Sequence, residues 1–523
     1  VRARSDGADA IGATISLHRR PPVARLCSRA VSEGSPARDG ADLLSTPEAG
    51  RLAIRGGALR VGSFAGGSLI SIVGGALLFR HLGVVDAGRY TTALSLAALV
   101  AGFTDLGLSA IGMRELATLE GAPRARLARN LLGIRIVLTA LGVVIVTGFA
   151  YAAYGSLLGT GVLIAGVGVF VANIQATWAL PLMAGLRLGW VSALDLGRQL
   201  VSVVLIVAFV LTGARLLPFL TIPLIAALLV VVPTALLIRG DIPLRPSFEL
   251  PHWRTLVAPV VTYSLAVAAA TVYFRLAIVL VSLLASDREL GYFSLSFRII
   301  EVLFAIPGLL VGAAFPIFAR AARDDPERLG YALSRVFEVS LIAGAWIALS
   351  LAVGAPLAIE IMGGPIFAPA APILAWQAIG LGATFVGSVF AYGLLSLHLH
   401  KLILKLTLAV LVGGCAVLVP LIEIDGARGA ALGMALVEVA AAVAGGVLLV
   451  RGRAHLRPRL AIVPKVALAS LLGAAPLLLD GVGDAVRVVL ATLVYGAVLL
   501  VLRAFPRELL ELTRRRSPPA TRR

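Results

Sequence analysis

Seven ionisable side chains, Asp105, Asp195, Arg198, Arg275, Arg298, Glu301 and Glu438, fall inside or at the edge of long apolar runs. An ionised group at mid-membrane costs roughly 2.5 to 3.5 kcal/mol on insertion scales, so each requires a partner or a water-filled cavity. Asp195 and Arg198 are three apart, as are Arg298 and Glu301, spacings that put each pair on one helix face and read equally as internal ion pairs. Arg275, in AAATVYFRLAIVLV, has no acid three or four positions away, and neither Asp105 nor Glu438 has a partner at that spacing. A guanidinium without a helical counter-ion has three readings: it faces a cavity, snorkels to an interface, or pairs across helices with Asp105 or Glu438. For the first, its planar fork of donors suits a pyrophosphate.

Other chemistries have no residues to run on. No Walker loop, HExxH or GxSxG occurs, so an enzyme is not indicated and no cofactor is expected. His398 and His400 are two apart, on different helix faces, a poor start for a metal site. The cysteines, Cys27 and Cys415, form neither a disulfide framework nor a CxxC site.

The elements that must position these charges are membrane helices. Of 523 residues 59% are hydrophobic and only 14% charged, too little polar surface for a soluble globular chain. The net charge of +18 is scattered in short segments between apolar runs rather than gathered on a soluble surface, which argues against nucleic acid. A spanning helix needs about 20 apolar residues. Fourteen such runs lie near 58–80, 90–113, 131–154, 156–180, 188–213, 216–238, 255–285, 290–319, 333–361, 367–397, 401–421, 429–450, 462–480 and 483–503. Weak breaks within 131–180 and 367–421 leave twelve to fourteen as the range.

Basic residues alternate between successive connections. One set holds Arg114, Arg124, Arg126 and Arg129, then Arg239, Arg245 and Arg254, then Arg320, Arg323 and Arg328, then Arg451 to Lys465 and Arg514–Arg516; the other holds Arg80 and Arg89, then single arginines. The positive-inside rule therefore predicts both termini in the cytoplasm of a bacterium and an even number of spans. Residues 1–57 read as a disordered cytoplasmic tail, and RELATLEGAPRARLARN, with basic and apolar positions interleaved, as a segment along the inner surface or a solvated loop.

The chain is also duplicated. LFRHLGVVDAGRYTTALSLAALV from Leu78 and LVSLLASDRELGYFSLSFRIIEVL from Leu280 share an apolar run, a turn around Asp86 or Asp287, a Gly and an aromatic, and a second apolar run. Aligning Tyr90 with Tyr292 sets Asp105–Gly107 opposite Pro307–Leu309. Broken helices at matching depths of two repeats point to a transport site between them, and Pro307 and Pro316 are expected to bend the eighth span. The expected fold is all-α: an N-lobe over 58–238, a linker over 239–254, a C-lobe over 255–452, two further helices over 453–503 and a basic tail over 504–523. Two pseudo-symmetric six-helix lobes would surround a central cavity.

The phrases FRHLGVVDAGRYTTALSLAALVAGFTDLGLSAIGMREL, GYFSLSFRIIEVLFAIPGLLVGAAFPIFARAA and PLAIEIMGGPIFAPAAPILAWQAIG resemble the polysaccharide-exporting branch of the multidrug/oligosaccharidyl-lipid/polysaccharide exporter superfamily. The resemblance runs from about 58 to 450 and identifies the branch, not the cargo. It implies a bacterial inner-membrane flippase for an undecaprenyl-pyrophosphate-linked oligosaccharide (an O-antigen, capsule or exopolysaccharide unit), working by alternating access among membrane lipids and beside a glycan polymerase or ligase. On that reading Arg275, assisted by Arg298, holds the phosphates, while Tyr273 and Gln199 contact sugar, with Tyr263, Tyr292, Trp178, Asn173, Gln175 and Gln377 as further candidates. Asp105, Glu301 or Glu438 carries a coupling ion. The rivals are a drug/cation antiporter, which calls for an acid deep in the first span where Leu59 to Phe79 offers none, and a non-transporting scaffold of a glycan synthesis complex.

Overall fold

The computed structural model describes residues 47–105, 107–258, 261–479 and 481–504, with side chains from Gly62 onward except at a few positions, Tyr263 among them. The chain divides into compact units Val1–Ala53 and Ile54–Arg523, and the second carries the architecture below. The expected tail over 1–46 and 505–523 lies outside the described residues.

In chain order the helices are α1 (Pro47–Asp105), α2 (Leu108–Leu116), α3 (Gly121–Ala184), α4 (Leu188–Leu211), α5 (Leu216–Ile238), α6 (Leu250–Val257) and α7 (Val261–Leu284). Then come α8 (Asp287–Leu303), α9 (Ala305–Gly312), α10 (Phe315–Asp324), α11 (Pro326–Val353), α12 (Ala355–Gly363), α13 (Ala371–Ser396), α14 (His400–Val450), α15 (Val463–Gly473) and α16 (Asp484–Val501). No strand occurs among the described residues. Because α1 already begins at Pro47, residues 47–57 are helical rather than the structureless tail expected.

Among the described residues eleven stretches are long and apolar enough to cross a membrane. Three of them, in α1, α3 and α14, contain a reversal. At Gly155 (φ 79°, ψ −172°) the chain folds back on itself: Tyr151 Oη lies 3.0 Å from Thr160 Oγ1, and a methyl on Gly166 would sit 2.9 Å from Val143. Gly83 has the same conformation (φ 69°, ψ −176°). Asp425 and Gly426 turn α14, bringing Gly429 against the Leu421 carbonyl. Left-handed φ is open to glycine at little cost, so single residues make the turns of α1 and α3 and a pair makes that of α14. Counted limb by limb, the described residues hold fourteen membrane-length limbs, in the registers of the fourteen apolar runs.

The crossings have physical reasons at their ends. Ser286 caps α8 in a capping box with Glu289, satisfying backbone donors at the α7–α8 turn. Asp325 caps α11 by accepting from the Arg328 amide at 3.0 Å, with Pro326 next. The eighth crossing is interrupted at Phe304 and Ala313–Ala314, because Pro307 and Pro316, three and two residues on, have no N–H for the preceding turn. The second crossing breaks between Asp105 and Leu108, where Gly107 adopts φ 70°. Both repeats are therefore broken near the depth that the alignment of Tyr90 with Tyr292 indicates.

Outward-facing side chains such as Val204, Leu211, Leu229 and Leu478 are exposed, as lipid contact requires. Inside, packing and polar contacts rather than hydrophobicity must hold helices together. α3 packs on α2, α4 and α5; α13 packs on α11 and α14, and α14 on α7. α15 and α16 pack on α11, with Tyr495 Oη donating to the Ile342 carbonyl at 2.9 Å and an apolar groove of about 320 Å³ beside Trp346 and Thr492.

Candidate transport site

The sequence places Arg298 and Glu301 one turn apart on α8, and the packing of α7 sets Arg275 beside them. Glu301 spends one oxygen on each arginine: Oε1 accepts from Arg275 Nη2, and Oε2 accepts from Arg298 Nη1 at 2.7 Å. Arg298 Nη2 reaches on to Ser71 Oγ in the first limb of α1 at 2.5 Å. Its Nε lies 3.9 Å from where a Gly75 side chain would start, so the missing side chain lets the guanidinium rest against that limb. Arg275 also stands 5.9 Å from the Phe297 ring centroid, a cation–π distance. The side chains of Arg275, Glu301 and Arg298 are 21%, 24% and 33% exposed, so the group is sheltered but reachable. Two cations share one anion, leaving a net positive centre between the halves.

This corrects the view of Arg275 as lacking a counter-ion. Its partner is neither Asp105 nor Glu438 but Glu301, on the next helix, where spacing within one helix cannot see it.

Asp105 anchors a different group. At the break of the second crossing it accepts from Ser109 Oγ at 2.5 Å and pairs with Arg135 of α3. Arg135 also bonds Ser109 at 2.7 Å and Thr177 at 3.2 Å, while Asn173 donates to Thr104 and Thr139 at 2.9 and 3.0 Å. Arg135 is only 3% exposed, against 42% for Asp105. Arg135 is absent from the seven charges above. The signal that finds it is Asp105 itself: an acid with no partner on its own helix requires a cation at its depth on a neighbour.

Glu438 is the third centre. Thr384 Oγ1 donates to it at 3.2 Å, and it makes no ion pair among the described residues. The hydroxyl of buried Tyr273 lies beside it without reaching hydrogen-bond geometry. Gln377, on the Thr384 face of α13, is 3% exposed with both amide atoms buried and unpartnered. α7 thus serves two centres, Arg275 facing α8 and Tyr273 facing α14.

Gln199 packs its amide where a Gly67 side chain would lie, 2.5 Å away, on the limb of α1 that also carries Ser71. Asp195 and Arg198 make a loose 3.9 Å pair, and Gln175 donates to Thr234 at 3.2 Å. Among the described residues no three of His, Cys, Asp and Glu gather as a metal site.

At the end remote from the clustered arginines the halves meet through the duplicated phrase. Arg89 pairs with Asp287 at 2.9 Å, and Arg80 donates to the Glu360 and Ile361 carbonyls at 2.9 and 3.0 Å. Gly88 faces Gly291, whose missing Cβ would fall 2.0 Å from the Val84 carbonyl oxygen. The second limb of α1 also lies on α7, at Gly102 against Thr271, and Gly107, just past its end, lies against Ser264.

Among solved structures, the chain is similar to the lipid II flippase MurJ in an inward closed conformation, with 14% identity and a TM-score of 0.71 over 87% of this chain and 100% of that one. It is also similar to an inward-facing multidrug resistance MATE family transporter of the MOP superfamily, with 17% identity and a TM-score of 0.57 over 76% and 98%. At these identities the likeness is one of fold. No curated protein matches the sequence. Residues 77–421, well over half of the chain, match the family described as polysaccharide biosynthesis protein, so this multi-pass membrane chain, with its broken second and eighth crossings and its shared arginine centre, belongs to that family.

Proposed function

We propose that the protein is a flippase that carries an undecaprenyl-pyrophosphate-linked oligosaccharide from the cytoplasmic to the outer leaflet of a bacterial inner membrane by alternating access. The observation that carries this reading is the positive centre in which Arg275 and Arg298 share Glu301 and touch Ser71 of the other half. A pyrophosphate, rich in acceptor oxygens, competes with Glu301 for the two guanidinium forks. It thereby binds where α1, α7 and α8 meet, and a change in the contact between halves exposes it to the other side.

The clustered arginines put the end holding Arg126, Arg323 and Arg457 in the cytoplasm, so the seam of Arg89, Asp287, Gly88 and Gly291 closes the outer side. Glu438, unpaired and close to Thr384 and Tyr273, is the carboxylate best placed to take up and release a coupling proton. A cationic cargo would meet net repulsion at the arginine centre, which counts against a drug antiporter.

The test is reconstitution into vesicles, with cargo headgroup in the outer leaflet measured by a lectin or a glycosidase. Wild-type protein is expected to move lipid-linked oligosaccharide and no cationic dye. Dye transport without oligosaccharide transport would overturn the reading, as would full oligosaccharide transport by a well-expressed Arg275→Ala variant.

A further inference from the structure

A cavity of about 580 Å³ opens at the arginine-rich end between α2, the start of α3 and the linker helix α6, away from the centres above. Its rim carries Arg114, Arg126 and His252, its floor Leu119, Leu127 and Leu256. Each arginine is fixed by one edge only. Arg114 gives Nε and Nη2 to Glu115 at 3.0 and 2.6 Å, and Arg126 gives Nε and Nη2 to Glu249, the first at 2.8 Å. The carboxylates orient the guanidinium planes, and in each the Nη1 group remains uncommitted. His252 Nε2 is shielded from solvent and has no partner. Unspent donors at the rim match an acceptor-only group, and phosphate is such a group.

The floor decides the source of that phosphate. A soluble phosphoanion gains nothing from three leucines, whereas a lipid phosphate at the membrane boundary brings acyl chains to cover them. The interleaved basic and apolar positions of RELATLEGAPRARLARN and the apolar and basic residues of α6, LPHWRTLV, place this end at the headgroup level. We propose that the cavity is a binding site for the phosphate headgroup of an anionic glycerophospholipid of the cytoplasmic leaflet. The bound lipid joins the first half to the linker, whose Ser247 amide donates to the Arg129 carbonyl at 2.9 Å and whose Trp253 Nε1 donates to Asn130 at 3.0 Å. The inference rests on the orientation given by the arginines and not on the cargo.

The full chain is to be stripped of lipid in detergent, titrated with phosphatidylglycerol or phosphatidylcholine, and read by native mass spectrometry. Tight retention of phosphatidylglycerol is expected over phosphatidylcholine. Arg114→Glu, a two-charge change at an exposed position, should weaken it roughly thirty-fold at the usual contribution of a basic residue near an anionic headgroup, and His252→Ala should weaken it further. Melting temperature, measured alongside, is expected to hold for both variants. Equal retention of the two lipids, or unaltered retention in a chain carrying both Arg114→Glu and His252→Ala, would overturn the proposal. Displacement by inorganic phosphate would reassign the site to a soluble anion, and displacement by a polyprenyl pyrophosphate alone would reassign it to cargo.

Discussion

Charge sharing at Glu301 sets the behaviour of the central residues. Arg275→Lys keeps a point charge but loses the fork, so partial flipping is expected, while Arg275→Ala should abolish flipping with Arg298 still paired to Glu301. The decisive variant is Arg275→Ala with Glu301→Gln. If Arg275 served only to offset the Glu301 charge, the double change would restore transport; with pyrophosphate as its ligand, transport stays lost at a protein level measured alongside. Asp105 has the opposite logic. Asp105→Asn leaves Arg135 buried without its anion, and breaking such a pair costs about 3 kcal/mol, the lower end of the usual range because Asp105 is itself half in solvent. A lower melting temperature in detergent checks it, and an unchanged one would show that Ser109 and Thr177 suffice. The sequence alone makes Arg275, Arg298, Glu301 and Asp105 stand out as charges in apolar runs, because insertion cost acts on each residue separately. Who pairs with whom depends on helix neighbours, so the Arg275–Glu301 and Arg135–Asp105 pairs come only with packing.

Elements add two further expectations. The linker helix α6 is clasped to α3 through Glu249, whose carboxyl is held at about 2, below its ordinary 4.5, first by the Arg126 side chain and then by Asn130. A lowered carboxylate contributes stability that is present above its unfolded value and is lost as pH falls through about 2. The clasp therefore persists at every physiological pH, and only substitution opens it. Glu249→Gln is expected to expose residues 239–254 to limited proteolysis at neutral pH, where the wild type resists. At the outer seam, Gly291→Ala sets a methyl 2.0 Å from the Val84 carbonyl, a backbone contact that cannot yield without parting the helices. The variant should favour an outward-open form, read as faster labelling of Ser71→Cys by an impermeant thiol reagent added outside. Labelling no faster than in the parent would show that the seam accommodates the methyl. The spans themselves are legible from apolar run length, and the eighth-crossing breaks from Pro307 and Pro316. The break at Gly107 is less so, since one glycine in a helical pattern carries no sign of its φ.

For the whole molecule, the duplication and the alternation of arginines are long-range regularities that one sequence displays in full. What it hides is the interface, because Gly88, Gly291 and Arg89 mark a repeat on paper and a seam only in space. Reporters fused after Arg323 and Arg457 are expected in the cytoplasm, and those after Asp287 and Gly364 outside; matching signals from Arg323 and Gly364 would break the fourteen-crossing topology. One further consequence follows from the turns at Gly83 and Gly155, each a single residue with the same backbone conformation. Each pair of limbs is thus joined with almost no connecting chain. On the proposed orientation, antibodies and phages approaching a cell from outside would find scarcely an epitope at these two turns.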